Sequence, residues 1–289
     1  MNDRVDLHLH SCYSDGALSP ACLLKEAAAC GLRAVALTDH DNVDGIDEAL
    51  AAGRELGVEV LTGVELSVVW QDLNDLHLLG YGFDHRHPPL VQALAGFRTF
   101  RAGRSLRILA NINRLLSASR QGAIEPAAVQ ARAGGTIGRP HIARELVDRG
   151  LARDMEHAFE RFLVPCNEPK RYFPMAEAID LIHAAGGCAV LAHPSYIKVP
   201  EERLRALAEG FVAMGLDGIE AYYSGSDNLT IDRHITLARQ LGLIVTGGSD
   251  FHEARPGGVT IGSGYGSLKI PYRCVEEIRQ RCTDRISAP

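Results

Sequence analysis

No hydrophobic run in this chain approaches the roughly 20 residues of a membrane-spanning helix, because Lys, Arg, Asp or Glu interrupts every such stretch. No membrane-spanning helix is expected. The opening residues Met1-Asn2-Asp3-Arg4 pass straight into a strand pattern, without the charged leader, apolar segment and cleavage site of a secretory signal. The seven cysteines (Cys12, Cys22, Cys30, Cys166, Cys188, Cys274 and Cys282) are odd in number and include no C-x-x-C pair. That argues against a zinc ribbon or redox centre and for reduced thiols, so the expected compartment is the cytoplasm. No glycine-rich dinucleotide fingerprint follows the first strand, and the glycines at 257–264 lack the Walker lysine of a phosphate loop. Long-period repeats and low-complexity tracts are absent as well. The net charge of −6 opposes broad nonspecific binding to nucleic acid, leaving room for a local basic pocket.

What is present is the composition of an ordinary globular protein, 46% hydrophobic and 23% charged. A length of 289 residues allows one large domain or one carrying an insert. Val5, Leu7 and Leu9 alternate with Asp6, His8 and His10, the period-two signature of a strand that sets both histidines on one face. Ser19-Pro20 then caps a helix ended by Gly31. The pattern repeats with a strand over 34–38, a helix over 43–56 stopped by Gly57, and a strand from Val58. Further strands are expected at 76–81, 188–192, 218–222 and 243–246, with helices over 175–185 and 201–214. Strands alternating with helices predict an α/β fold with a parallel sheet. About seven strands with polar residues at their C-terminal ends suit a closed or distorted (β/α) barrel. Between Val91 and Tyr172 the strand signal vanishes and arginine accumulates. The expected organisation is a barrel from 1–90 and 173–289 with an inserted helical subdomain over 91–172.

Nine candidate metal ligands fall at or just beyond strand ends: His8, His10, Asp15, His40, Glu65, His77, His193, Asp250 and His252. Each alone has an ordinary explanation. Asp15 in Ser14-Asp15-Gly16 suits a turn, and His77 between leucines suits a satisfied core histidine. Glu65 is harder to dismiss, since an ionised carboxylate in an apolar stretch is costly unless paired or bound to metal. Collected at one barrel end, the set suits clustered cations of zinc, manganese or iron, as imidazole and carboxylate ligands without thiolate do. Such cations acidify water and offset charge on phosphoryl oxygens, and hydrolysis of a phosphate ester is the matching reaction.

Asp6-Leu7-His8-Leu9-His10, Thr38-Asp39-His40, Glu65, Ala192-His193-Pro194 and Ser249-Asp250-Phe251-His252 together resemble the motifs of the PHP (polymerase and histidinol phosphatase) phosphoesterases. The resemblance implies a distorted seven-stranded barrel with up to three divalent cations per chain, Mn2+ first and Fe2+ or Zn2+ as alternatives. It implies that His8, His10, Glu65 and Asp250 hold one metal, Glu65, His77 and His193 a second, and Asp15, His40 and His252 a third. Asp15, Glu65, Asp250 and His252 are the expected catalytic residues.

Within the insert, Arg101-Ala102 and Gly138-Arg139-Pro140-His141 resemble the branch of 3',5'-nucleoside bisphosphate phosphatases and 5'-3' trimming exoribonucleases. Arg101, Arg104, Arg139 and His141 are therefore expected to bind substrate, since guanidinium matches phosphate by bidentate geometry, and Arg139 follows the Gly134-Gly135 pair. Lys170 and Arg171 are weaker candidates. Ser224-Gly225, after the aromatic Tyr222-Tyr223, could touch a nucleoside. The expected reaction removes the 3'-phosphate of a nucleoside 3',5'-bisphosphate such as pAp. The alternatives are 5'-3' trimming of short 5'-phosphorylated RNA, a phosphatase of the histidinol phosphate type, an amide hydrolase using the same metals and, in a different class, a noncatalytic metal-binding module. A small nucleotide is the expected partner, with neither membrane nor protein partner implied.

Overall fold

A computed structural model of the chain describes residues 3–133 and 137–287. The Gly134-Gly135 pair and the opening Met1-Asn2 lie outside the described residues. Nine strands are found among them: β1 (Arg4–Leu9), β2 (Ala34–Leu37), β3 (Glu59–Trp70), β4 (Leu73–Tyr81), β5 (Phe173–Pro174), β6 (Cys188–Leu191), β7 (Gly218–Tyr223), β8 (Ile244–Gly248) and β9 (Ile270–Pro271). The order β8-β7-β6-β4-β3-β2-β1-β9 makes a nearly closed barrel of eight strands, with β5 beside β3. β9 pairs only Arg4 and Val5, so seven longer strands build the wall. At the mouth β1 meets β8 directly: the Asp250 N–H donates to His8 O (2.9 Å) and the His10 N–H to Phe251 O (3.0 Å). Gly248 permits that approach, since a Cβ there would lie 2.0 Å from His8 Cβ.

The sheet is not wholly parallel. β4 runs antiparallel to both neighbours, pairing Glu65 with Leu79 on β3 and Leu79 with Val190 on β6. Only Gln71-Asp72 separates β3 from β4, and a two-residue connection can only fold the chain back on itself. Two local expectations also shift. The pairing of β1 with β2 is irregular between Asp6 and Leu9. Val5 and Leu7 accordingly join one apolar cluster and Leu9 another, instead of sharing a face throughout. The second helix starts at Ile46 rather than Val43, because Asn42 is spent on a turn in which its Oδ1 accepts the Asp44 N–H.

The helices are α1 (Pro20–Ala29), α2 (Ile46–Leu56), α3 (Pro88–Ala118), α4 (Pro126–Gln130), α5 (Arg139–Asp148), α6 (Met155–Ala158), α7 (Met175–Ala184), α8 (Glu201–Ala213), α9 (Asn228–Gln240) and α10 (Arg273–Ser287). Ser19 caps α1 by accepting the Cys22 N–H, and Gly57 ends α2 in the left-handed conformation. Among the described residues no helix is long and apolar enough to cross a membrane.

The antiparallel β4 explains the length of α3. It ends with Tyr81 beside Cys188, the first residue of β6, and Gly82 sits against Cys282 of α10. The chain is then at the barrel end away from the histidines. A helix of 31 residues, about 46 Å at 1.5 Å per residue, carries it back past the mouth. Leu90, Leu94 and Phe97 of α3 pack on the barrel flank at i, i+4 and i+7. Beyond the mouth Ile108, Leu109, Ile112 and Leu116 join a separate apolar cluster with α4, α5 and α6. Arg98, Arg101 and Arg104 lie between these two anchors.

Candidate metal centre

All nine expected ligands meet at the barrel mouth, and Glu65 is the hub. Its Oε1 lies 2.8 Å from His77 Nδ1 and 2.9 Å from His193 Nε2. Its Oε2 lies 2.9 Å from His40 Nδ1, 3.3 Å from His10 Nε2 and 3.4 Å from His8 Nε2. Asp250 Oδ1 faces His10 Nε2 at 3.1 Å and His8 Nε2 at 3.4 Å. Asp15 reaches His252 Nε2 at 3.4 Å with Oδ1 and His40 Nε2 at 3.7 Å with Oδ2. Three overlapping sets could hold a cation: His8, His10 and Glu65; His40, Glu65 and His77; and His10, Asp15, His40 and His252. His10 and His40 each belong to two sets, and His193 joins the cluster through Glu65.

The fit to cations rests on atoms left without partners. His8 Nε2, both ring nitrogens of His10, His40 Nδ1, Asp15 Oδ1 and Glu65 Oε2 are buried without a hydrogen-bond partner. Each such group costs about 1–3 kcal/mol if nothing satisfies it, and several crowded into one pocket match the lone pairs a multinuclear site uses. His77 Nδ1 and His193 Nε2 face each other at 3.2 Å, a separation that a shared acceptor or cation stabilises.

Electrostatics keeps the carboxylates ionised. Burial favours the neutral acid at Glu65, but His40, His77 and His8 hold it well below the usual carboxylate range. Against the same burial, His40 and His252 do this for Asp15, and His8 and His10 for Asp250. The surplus negative charge is visible at His252: burial opposes its protonation, yet Asp15 and Asp250 lift its pKa to about 10.

Supporting groups orient the cluster. Glu220, fully buried in β7, binds His8 Nδ1 at 2.9 Å and accepts the His193 N–H at 2.7 Å. Asp39 accepts from Ser11 N–H (2.7 Å) and from the Ser11 and Ser14 hydroxyls, pinning the loop that presents Asp15. Tyr223 donates to Asp250 Oδ2 at 3.1 Å. Asp250 and His193 have φ of 58° and 26°, positions where non-glycine residues are strained. Glu220 is not among the residues expected from the sequence, although an acidic residue inside the apolar run Gly218-Ile219-Glu220-Ala221 is the same signal that marks Glu65.

Beside the cluster lies a cleft of about 210 Å³ lined by Asp15, His40, His77, Arg101, Arg139 and Arg171, among others. Arg101 lies 3.7 Å from Asp15 Oδ2. The Arg171 guanidinium lies 4.6 Å from the Phe97 ring centroid and that of Arg139 lies 5.8 Å from the Phe159 centroid, contacts that favour a cation at each position. Arg104 also lines the cleft, but it is mostly buried and donates to Glu168 O and Asn167 Oδ1. His141 is buried with Nδ1 accepting the Gly138 N–H, so it caps α5 below Arg139. Ser224 and Gly225 are not brought to this cleft: the Ser224 hydroxyl donates to Ser249 O (2.7 Å), and Gly225 backs onto the Tyr223 ring.

Buried nitrogens that call for cations, next to guanidinium groups that call for phosphate, define a metal-dependent phosphoesterase. The PHP domain model matches residues 6–217, and the chain belongs to that family. It is 38% identical over 261 residues to a 5'-3' exoribonuclease of Haemophilus influenzae, covering 87% of this chain and 91% of the relative. It is 37% identical over 264 residues to a 3',5'-nucleoside bisphosphate phosphatase of Chromobacterium violaceum, covering 90% of each. Among solved structures, a protein described as a metal-dependent phosphoesterase of Bifidobacterium adolescentis superposes with a TM-score of 0.82 at 31% identity, over 98% of both chains.

Proposed function

We propose that the chain removes the 3'-phosphate of nucleoside 3',5'-bisphosphates such as pAp, giving the 5'-nucleotide and phosphate. The observation that carries this reading is the contact between cluster and cleft: Asp15, His40 and His77 border both. A substrate with two phosphates has one for each. Similarity to a protein named as a bisphosphate phosphatase supports the same substrate class.

In this reading up to three divalent cations, Mn2+ before Fe2+ or Zn2+, are shared among the nine side chains. When bound they acidify water and neutralise charge on the phosphoryl oxygens. Glu65 and Asp250 tie the histidines into one cluster, and Asp15 links His40 to His252. Arg101, Arg139 and Arg171 hold the remote 5'-phosphate, so that its binding energy positions the reacting 3' end. Phe100 and Phe159 on the cleft wall exclude water and offer ring surface to the nucleoside. The odd number and scattered spacing of the seven cysteines, without a C-x-x-C pair, support a cytoplasmic setting.

The test is hydrolysis by metal-loaded protein of pAp, 3'-AMP, histidinol phosphate and a 5'-phosphorylated RNA dinucleotide. The expected result is kcat/KM for pAp at least about 100-fold above 3'-AMP, which lacks the 5'-phosphate, or ~2.7 kcal/mol of transition-state binding through that second phosphate. Equal rates on pAp and 3'-AMP would remove the reading.

A further inference from the structure

Arg101 stands between the cation cluster and the arginine cleft. Its Nη2 lies 3.7 Å from Asp15 Oδ2 and its Nη1 4.0 Å from Asp41 Oδ2. Nη2 is also 3.6 Å from where a Cβ would stand on Gly138, at the start of α5 beside Arg139. Asp41 has other partners, since it accepts the Ser67 N–H at 2.9 Å and the Ser67 hydroxyl at 3.0 Å. Asp15 does not: its Oδ1 is buried without a hydrogen-bond partner, and among the described residues Arg101 is the one arginine or lysine paired with it. We infer that Arg101 is a resident counter-ion for Asp15, so that the cation of the set His10, Asp15, His40 and His252 binds together with the anionic end of the substrate. The part concerning substrate rests on the bisphosphatase reading, which sends a 5'-phosphate to Arg101, whereas the part concerning the cation stands without it.

Of the two partners, Arg101 is the one able to move. Asp39 pins the loop that carries Asp15 through Ser11 and Ser14, and Asp15 faces His252 at 3.4 Å and His40 at 3.7 Å. Arg101 is a long side chain on α3, 23% exposed, with ion pairs but no hydrogen bond to hold its guanidinium among the described residues.

With the cleft empty, the guanidinium stabilises ionised Asp15 and opposes any divalent cation brought to the same carboxylate, because like charges repel strongly at short range where water is scarce. A phosphate in the cleft reverses this. It takes the guanidinium as a bidentate partner and offsets its charge, and Arg139 on the same wall draws the anion away from the cluster. Asp15 is then left to the cation. Anion and cation therefore favour each other, and linkage requires each to raise the affinity of the other by the same factor. The arginine that recognises substrate thus also holds back full loading of the cluster until substrate arrives.

The test reads Mn2+ binding by equilibrium dialysis and metal analysis, with no activity assay. Wild type, Arg101→Ala, Arg101→Gln and Arg139→Ala are each titrated alone, with 5'-AMP and with adenosine, and circular dichroism checks that each is folded. The binding step missing from His252→Ala identifies the cation of this set. Without nucleotide, both Arg101 variants should bind that cation about tenfold more tightly than wild type, a usual size for coupling between sites. Arg139→Ala removes a charge not paired with Asp15 and should change it by less than about threefold. Saturating 5'-AMP should tighten the cation about tenfold in wild type and less than about twofold in Arg101→Ala, and adenosine should do neither. Unchanged or weaker binding in both Arg101 variants would overturn the counter-ion role. An equal shift by 5'-AMP in wild type and Arg101→Ala would overturn the linkage while leaving the bisphosphatase reading in place. Failure of 5'-AMP to bind the protein at all would overturn that reading and the linkage together, but not the effect of Arg101 on the cation.

Discussion

Glu220 grips His8 from behind: its Oε1 lies 2.9 Å from His8 Nδ1, leaving Nε2 turned toward Glu65 and Asp250. Its other oxygen accepts the His193 N–H, so one carboxylate fixes two histidines on different strands. Outer carboxylates of this kind set the tautomer and basicity of a ligating imidazole. Glu220→Gln should weaken metal affinity about 10- to 100-fold while preserving the fold. Metal titration followed by metal analysis, with circular dichroism as the check on folding, measures it.

Glu65 touches five histidines, so Glu65→Gln should cost more than any single histidine substitution. The expected loss in kcat/KM is at least about 100-fold, or ~2.7 kcal/mol. Metal content should fall in parallel. Chelation of the wild type should likewise abolish activity, lower the melting temperature through loss of bound cation, and be reversed by added Mn2+.

Arg101 and Arg139 should matter for pAp and little for a substrate lacking the second phosphate. Either alanine variant should reduce kcat/KM for pAp by about 10- to 100-fold, the worth of one charge-assisted hydrogen bond of roughly 1.5–3 kcal/mol. Hydrolysis of a simple aryl phosphate should change by less than about threefold. Arg139→Lys should fail to restore the loss, because an ammonium does not reproduce the planar bidentate fork.

Asp217 makes stability depend on pH in acid. It is buried and accepts from the Ala189 N–H and His183 Nε2, both at 2.8 Å, and from Arg285 of α10. Burial opposes its charge, but His183, the Ala189 N–H and Arg285 hold its pKa below the ordinary value. A carboxylate with a depressed folded pKa stabilises fully above its unfolded pKa of about 3.9 and loses that contribution as pH falls through the folded value. Asp217→Asn should therefore be about 1.5–3 kcal/mol less stable than wild type at pH 7. In urea titrations the gap should narrow below about pH 4.

Much of the site was legible because its signals are local. A histidine or carboxylate after a short apolar run marks a strand end wherever the strand sits in the sheet. Glu220 carries the same signal, but it stands in the middle of β7 and not at its end. The direction of β4 was hidden, since Gln71-Asp72 lacks the Asn-Gly or Asp-Gly signature of a tight hairpin. Without that reversal nothing in the sequence explains why α3 must be so long. The role of Arg104 was equally invisible: its partners, Glu168 O and Asn167 Oδ1, lie more than sixty positions away. Ser224 follows the aromatic end of a strand and so looks available to a nucleoside, and only the approach of Ser249 shows its hydroxyl already used.

The single helix that joins the barrel flank to the outer helical cluster makes the arginine cleft a matter of counting. One residue inserted between Leu90 and Phe97 would turn everything beyond it by about 100°, swinging Arg101 off the face that looks at Asp15. Seven inserted residues would nearly restore the face yet lift it by ~10 Å. This stretch of α3 should therefore tolerate exchanges of side chain far more readily than any change in its length. Relatives that bind the same phosphate should keep the same spacing from the apolar barrel contact at Phe97 to Arg101.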